Sequence, residues 1–210
     1  MDRSDIDRIA LTLMAEHGAH TAILYGSWAR GDATVDSDID YLFVRGDGTG
    51  DGRSERDARV LDGVYIDGFV YAESALVELD PSFLRLLGGK VIVERDGFGT
   101  TLLERVRELY ERGPTPMPDD ERRATIVWST KMLDRIRNGS GLDASYRRMQ
   151  LATQALDDYF VLRGRWFGGH KQAFAWLATN DPATLALFER VTEPAADEAF
   201  VDLVRVVYGA

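Results

Sequence analysis

The sequence predicts an α/β (α+β) protein: a small mixed-sheet domain followed by an all-helical bundle domain. Three observations carry this. Short apolar runs of strand length, at 22–25, 39–44, 64–71 and 91–93, are interleaved with helical periodicity over the first half. Past Gly113-Pro114-Thr115-Pro116-Met117-Pro118, every periodic segment repeats at helical spacing. Three prolines in five residues cannot continue a helix, so a sheet domain is expected over 1–113, a linker over 114–118 and a bundle over 119–210. With 210 residues, the chain can bury a core in one large domain or two small ones.

Taken in order, Ser4 can cap a first helix, with Asp5 and Asp7 in its opening turn. Ile6, Ile9, Ala10, Leu13 and Met14 share one helical face, and Gly18 ends it. Ala22 to Tyr25 reads as a strand, Gly26-Ser27 as a turn, and Ser27 to Arg30 as a short helix. Ile39 to Val44 is the next strand. Gly46-Asp47-Gly48-Thr49-Gly50-Asp51-Gly52 reads as a solvated hairpin loop rather than a mobile flap. Asp62-Gly63 is a two-residue hairpin signal joining Ala58–Leu61 to Val64–Tyr71. Pro81 to Leu87 predicts a short helix stopped by Gly88-Gly89, followed by a strand at Val91–Val93 and an amphipathic helix over Thr100–Glu111. In the second half, helices are expected over Asp119–Arg137 (Ala124, Trp128, Met132 and Ile136 inward) and Asp143–Leu162 (Met149, Ala152, Leu156, Tyr159 and Phe160 inward). Three shorter ones follow at Lys171–Thr179, Pro182–Arg190 and Ala195–Val207.

Composition narrows the chemistry. There is no cysteine, which excludes disulfides, thiolate metal sites and a thiol nucleophile. His17, His20 and His170 are too scattered for a histidine zinc site. The net charge of −10 is uneven: residues 1–115 carry −9 and residues 116–210 carry −1. An acidic first half is a poor electrostatic match for nucleic acid and a better one for a cationic small molecule. The charged N-terminus lacks the basic start and apolar core of a signal peptide, and no run reaches the roughly 18 apolar residues of a membrane span. A cytoplasmic protein without a membrane partner is therefore expected.

The chemistry is concentrated between Leu24 and Phe43. Successive side chains of a strand point to opposite faces, so Asp38 and Asp40 emerge on one face. Two carboxylates that close repel unless a proton or cation lies between them. Oxygen ligands on a rigid strand suit Mg²⁺, which is usually held by one or two carboxylates plus substrate phosphates. Gly26 lets an anion approach the backbone, and a helix beginning after it would offer free amides. Tyr65, Asp67, Phe69 and Tyr71 share a face of a later strand, so Asp67 is a third acid placed to complete a metal site or act as a base. Phosphate amides beside a metal-binding pair are the parts that phosphoryl or nucleotidyl transfer requires.

Gly26-Ser27, a spacer over 28–37, then Asp38-Ile39-Asp40-Tyr41 with Asp67 beyond, resembles the polymerase-β-like nucleotidyltransferase superfamily over about residues 20 to 72. The helical half is similar to the C-terminal domain of streptomycin/spectinomycin adenylyltransferases, on Tyr159-Phe160-Val161-Leu162-Arg163-Gly164, then Lys171, then Ala175-Trp176-Leu177. An arginine those proteins carry before the tyrosine has no counterpart, since Leu156 takes its place. The resemblance implies that Gly26, Ser27 and Ser37 hold the triphosphate of ATP, joined by Lys171. It implies that Asp38, Asp40 and Asp67 bind two Mg²⁺, and that Asp67 accepts the proton of the acceptor, with Glu73 or an acid of the helical half as the other candidates. The implied activity is transfer of AMP from ATP to a hydroxyl of a small, cationic, aminoglycoside-like acceptor. A homodimer is a further expectation from the resemblance, with Trp128, Trp166 and Trp176 as interface, pocket or core residues.

Three other functions fit parts of the sequence. The acceptor can be a protein partner, as in toxin–antitoxin nucleotidyltransferases. Arg165, four residues (Trp166-Phe167-Gly168-Gly169) and then His170 match the pattern of HEPN ribonucleases, although Gly168-Gly169 takes His170 off the arginine's helix face. A non-catalytic nucleotide-binding module is the last, and an intact Asp38, Asp40 and Asp67 set speaks against it.

Overall fold

A computed structural model describes residues 3–48, 54–192 and 197–209 of the chain. The fold is α/β: a mixed five-stranded sheet with its helices, followed by a helical part. The chain divides into two compact units, Met1–Arg112 and Gly113–Ala210.

In the first unit, helix α1 (Arg3–His17) leads into strand β1 (Thr21–Tyr25), the short helix α2 (Gly26–Arg30) and strand β2 (Ile39–Arg45). Strands β3 (Glu55–Leu61) and β4 (Val64–Ala72) follow as a hairpin, then β5 (Lys90–Val93) and helix α3 (Phe98–Arg112). The sheet order is β3-β4-β2-β1-β5. Only β2 and β4 run parallel; the other pairs are antiparallel. The hairpin turn works because Asp62 and Gly63 both take positive φ, 51° and 79°, which suits the twist of the strands it joins.

The period of two sorts side chains onto two covered faces. On one, Ile6, Ile9 and Leu13 of α1 pack on Leu24, Tyr41, Phe43, Ile66 and Val70. On the other, Leu102 and Val106 of α3, with Phe83 and Leu86, pack on Ile23, Tyr25, Leu42 and Val44. Strand β2 is central, so from Tyr41 to Val44 both its faces are dry, and that stretch reads in sequence as an apolar run rather than an alternation. Each fully buried side chain of this size stabilises by roughly 1.5–3 kcal/mol. The Tyr41 hydroxyl reaches through the core to donate to the Ile6 carbonyl at 2.7 Å.

The second unit comprises α4 (Asp119–Asn138), α5 (Gly141–Val161), α6 (His170–Asn180), α7 (Pro182–Val191) and α8 (Asp197–Tyr208). Its core joins Met132, Leu133, Ile136, Leu151, Ala155, Leu156, Phe160, Leu177, Phe200 and Leu203. Trp128 packs against this core, and Trp176 meets Tyr159 at a tilt and Phe160 edge to face. At its centre Asp158 accepts from Tyr208 at 2.6 Å and from Gln154 at 3.0 Å.

Several local expectations are corrected. Helix α1 already includes Arg3, so Ser4 lies inside it rather than at its cap. Pro81–Leu86 is a 3₁₀ segment, and Glu73–Leu76 forms another that sequence periodicity did not suggest. Met149 is 63% exposed, because the inward stripe of α5 runs through Leu151 and Ala155, and Met149 lies two residues off it. Ala124 is exposed where it lines a cavity with Trp128, Gln154 and Asp158. Strands β2 and β3 do not pair with each other, since β4 lies between them, so they do not form the expected hairpin. Residues 49–53 of their connection, and residues 195–196 of the last expected helix, lie outside the described residues. No described helix is long and apolar enough to cross a membrane.

Candidate active site

Three strands put three polar side chains in one row. Tyr25 of β1 is the register partner of Asp40 of β2, and Asp40 is the register partner of Asp67 of β4. Directly opposed residues of neighbouring strands share a face, so Tyr25, Asp40 and Asp67 stand side by side. Asp38 lies just before β2, exposed, and close enough to Asp40 to act on its charge.

Gly26 sets the shape of this corner. It has φ +69°, a left-handed conformation that other residues rarely adopt. A Cβ there would lie 1.9 Å from Asp40 Oδ2. The turn therefore presses backbone against the carboxylate, which only glycine permits. Ser27 follows, and its carbonyl accepts from the Gly31 and Asp32 amides at 2.8 and 3.1 Å. Helix α2 spans only five residues, so any anion cradle here consists of turn amides rather than a helix dipole.

The electrostatics are those of crowded acids. Burial, then Asp38, then Asp67 push the Asp40 carboxyl up to about 6, and Arg30 and Arg85 oppose the rise. Burial likewise raises the Tyr25 phenol above its usual range. A site that makes its own carboxylate reluctant to ionise is one that a cation would relieve.

Asp67 is only 18% exposed and is gripped by Arg56 of β3, whose Nε and Nη2 donate to its two oxygens at 2.8 and 3.1 Å. Consistent with this, among the described residues no three His, Asp or Glu side chains are gathered to hold a metal ion as they stand. The donor chemistry nevertheless fits a hard divalent cation: hard oxygen donors and a carboxyl pKa raised by crowded acids. Any ion that took Asp67 as a ligand would have to displace Arg56 from it.

The remaining candidates fall into place less directly. The Ser37 hydroxyl accepts from the Thr34 amide at 2.8 Å and lies 3.3 Å from the Thr34 hydroxyl, contacts that shape the 34–37 turn. Glu73 follows β4 at the end of the sheet remote from Asp67; it lies 2.9 Å from His20 Nε2 and pairs with Arg95, so it does not share the acidic row. Lys171 is exposed in the first turn of α6, in the second unit. Arg165 stacks on Trp176 at 4.7 Å, and His170 opens α6 after the two glycines.

Sequence reasoning missed Arg56 and Arg85. Arg56 was findable: a two-residue turn pairs Leu61 with Val64, hence Arg56 with Phe69, diagonal to Asp67. Arg85 left no such signal, because it reaches the row through tertiary packing.

No family model matches the sequence, and no curated protein matches it. Among solved structures, the chain is similar to a nucleotidyltransferase-like protein from Exiguobacterium sibiricum 255-15, at 15% identity and a TM-score of 0.46, over 97% of this chain and 75% of that one.

Proposed function

We propose that the protein is a nucleotidyltransferase that moves AMP from ATP to a hydroxyl of a small acceptor and releases pyrophosphate. The observation that carries this is the register of Asp40 with Asp67 beside a glycine turn pressed against Asp40. Asp38, Asp40 and Asp67 would hold two Mg²⁺, which would supply charge neutralisation to the phosphates and lower the barrier to in-line displacement. Gly26 and Ser27 present backbone amides to the triphosphate, with the Ser37 hydroxyl as a further donor. The acceptor oxygen forms a bond to the α-phosphorus as the bond to the bridging oxygen of pyrophosphate breaks. The hydroxyl proton passes to the Asp67 carboxylate once Arg56 has released it. Fixed placement of these groups, with charge stabilisation, accounts for the rate. The −9 charge of residues 1–115 favours a cationic acceptor of the aminoglycoside type.

Pyrophosphate release from MgATP, measured across a panel of aminoglycosides and lincosamides, tests this. Acceptor-dependent release that disappears in Asp40→Asn is expected. Release that persists undiminished in that variant would refute the assignment of Asp40, and no release with any acceptor would remove the antibiotic class.

A further inference from the structure

Arg85 belongs to the 3₁₀ segment Pro81–Leu86, whose start is pinned by Asp80 accepting from the Ser82 amide at 2.7 Å. Its guanidinium lies 4.4 Å from the centre of the Phe69 ring, 5.7 Å from that of Phe83 and 6.0 Å from that of Tyr25. Its Nη2 donates to the Tyr71 hydroxyl at 2.9 Å. Phe69 and Tyr71 follow Asp67 on the same face of β4, and Tyr25 is the register partner of Asp40. The cation is thus held over the strand positions next to the acidic row. Just past the segment, a Cβ on Gly88 would touch Arg30 Cγ at 3.7 Å, so this end adjoins α2.

Arg85 acts on the charge of Asp40 and Asp80 without closing onto either carboxylate. Arg45, Arg56, Arg59 and Arg95 each close onto a carboxylate. Among the described residues no carboxylate forms an ion pair with Arg85, and its Nε–H is buried without an acceptor. Arg85 as a whole is half-buried, and leaving that one N–H buried without an acceptor is costly. The aromatic faces offset part of that cost and fix the plane of the group. The result is a guanidinium fixed in orientation, with one bond to a neutral hydroxyl and none to a carboxylate, suited to an oxyanion with more than one acceptor oxygen.

We propose that Arg85 is a phosphoryl-binding side chain, taking an anionic phosphate oxygen beside Asp40 and Asp67. This rests on the nucleotidyl-transfer function above. The phosphate can belong to the nucleotide tail or to a phosphorylated acceptor; both present the same oxygens to the fork.

Calorimetric titrations of the full chain with magnesium pyrophosphate, MgATP and glycerol 3-phosphate distinguish these, using wild type, Arg85→Gln and Arg85→Lys. Arg85→Gln is expected to weaken pyrophosphate and MgATP by about tenfold or more, the scale of a charge-assisted hydrogen bond. Arg85→Lys falls between, since lysine restores the charge without the fork. If instead only glycerol 3-phosphate binding weakens, the phosphate is the acceptor's. Affinities equal to wild type for all three ligands would overturn the proposal, and a role in packing alone would lower the melting temperature while leaving them equal. Should Arg85→Gln fail to fold, Arg85→Lys decides on the same titrations. A wild-type protein that binds neither MgATP nor pyrophosphate would instead overturn the nucleotidyl-transfer function, and the proposal with it.

Discussion

Replacing Gly26 by alanine puts a methyl group where Asp40 already is. The new Cβ would sit 1.9 Å from Asp40 Oδ2, 2.9 Å from its Cγ and 3.3 Å from its Cβ. Contacts below 3.0 Å do not occur for real Cβ atoms, so the carboxylate oxygen must retreat by about 1 Å, a displacement that costs on the order of a hundredfold in turnover at a reacting centre. Holding alanine at φ +69° adds a backbone penalty of roughly 1–2 kcal/mol. Gly31→Ala separates the two effects, since Gly31 has φ +90° and nothing within 4 Å of its would-be Cβ. Denaturant melts and Mn²⁺ calorimetry on both variants provide the assay. Both should lose similar stability, and only Gly26→Ala should lose Mn²⁺ affinity and pyrophosphate release. Gly26→Ala with wild-type Mn²⁺ affinity would refute the coupling of the turn to Asp40.

Asp40 is held at about 6 against a reference of 3.8, so the folded, metal-free protein binds its proton more tightly than the unfolded chain does. Its stability should therefore fall as pH rises from 3.8 to 6 through this group, Asp40→Asn should flatten that fall, and Mn²⁺ should reverse it above pH 6; pH-dependent melts with and without Mn²⁺ read all three. Arg56→Ala frees Asp67 from a pair whose arginine is exposed and should raise Mn²⁺ affinity by up to about fivefold, with an unchanged titration counting against competition between Arg56 and the ion. Tyr208→Phe leaves Asp158 Oδ2 without its donor in the helical core and should cost about 1–3 kcal/mol in urea unfolding; a loss within error would mean that the carboxylate finds another partner.

The sequence by itself determined most of the strands and helices, because strand alternation, helical stripes and proline or glycine punctuation are local signals; the 3₁₀ segment Glu73–Leu76 carried none of them. It also determined that Asp38 and Asp40 flank the start of β2 and that Asp67 stands mid-strand, since those follow from spacing. The parallel pairing of β2 with β4 was a tertiary decision: it depends on which apolar strand best fills the space under α1 and α3, and it brings Asp67 opposite Asp40 rather than a residue away. So was the placement of Met149 outside the bundle core, where neighbouring helices rather than the periodicity of α5 choose the inward stripe. Arg85 shows the same limit most clearly, because a side chain from a 3₁₀ segment reaches the acidic row only when Phe69, Phe83 and Tyr25 are folded around it. Long-range burial, not local propensity, decides which charges meet.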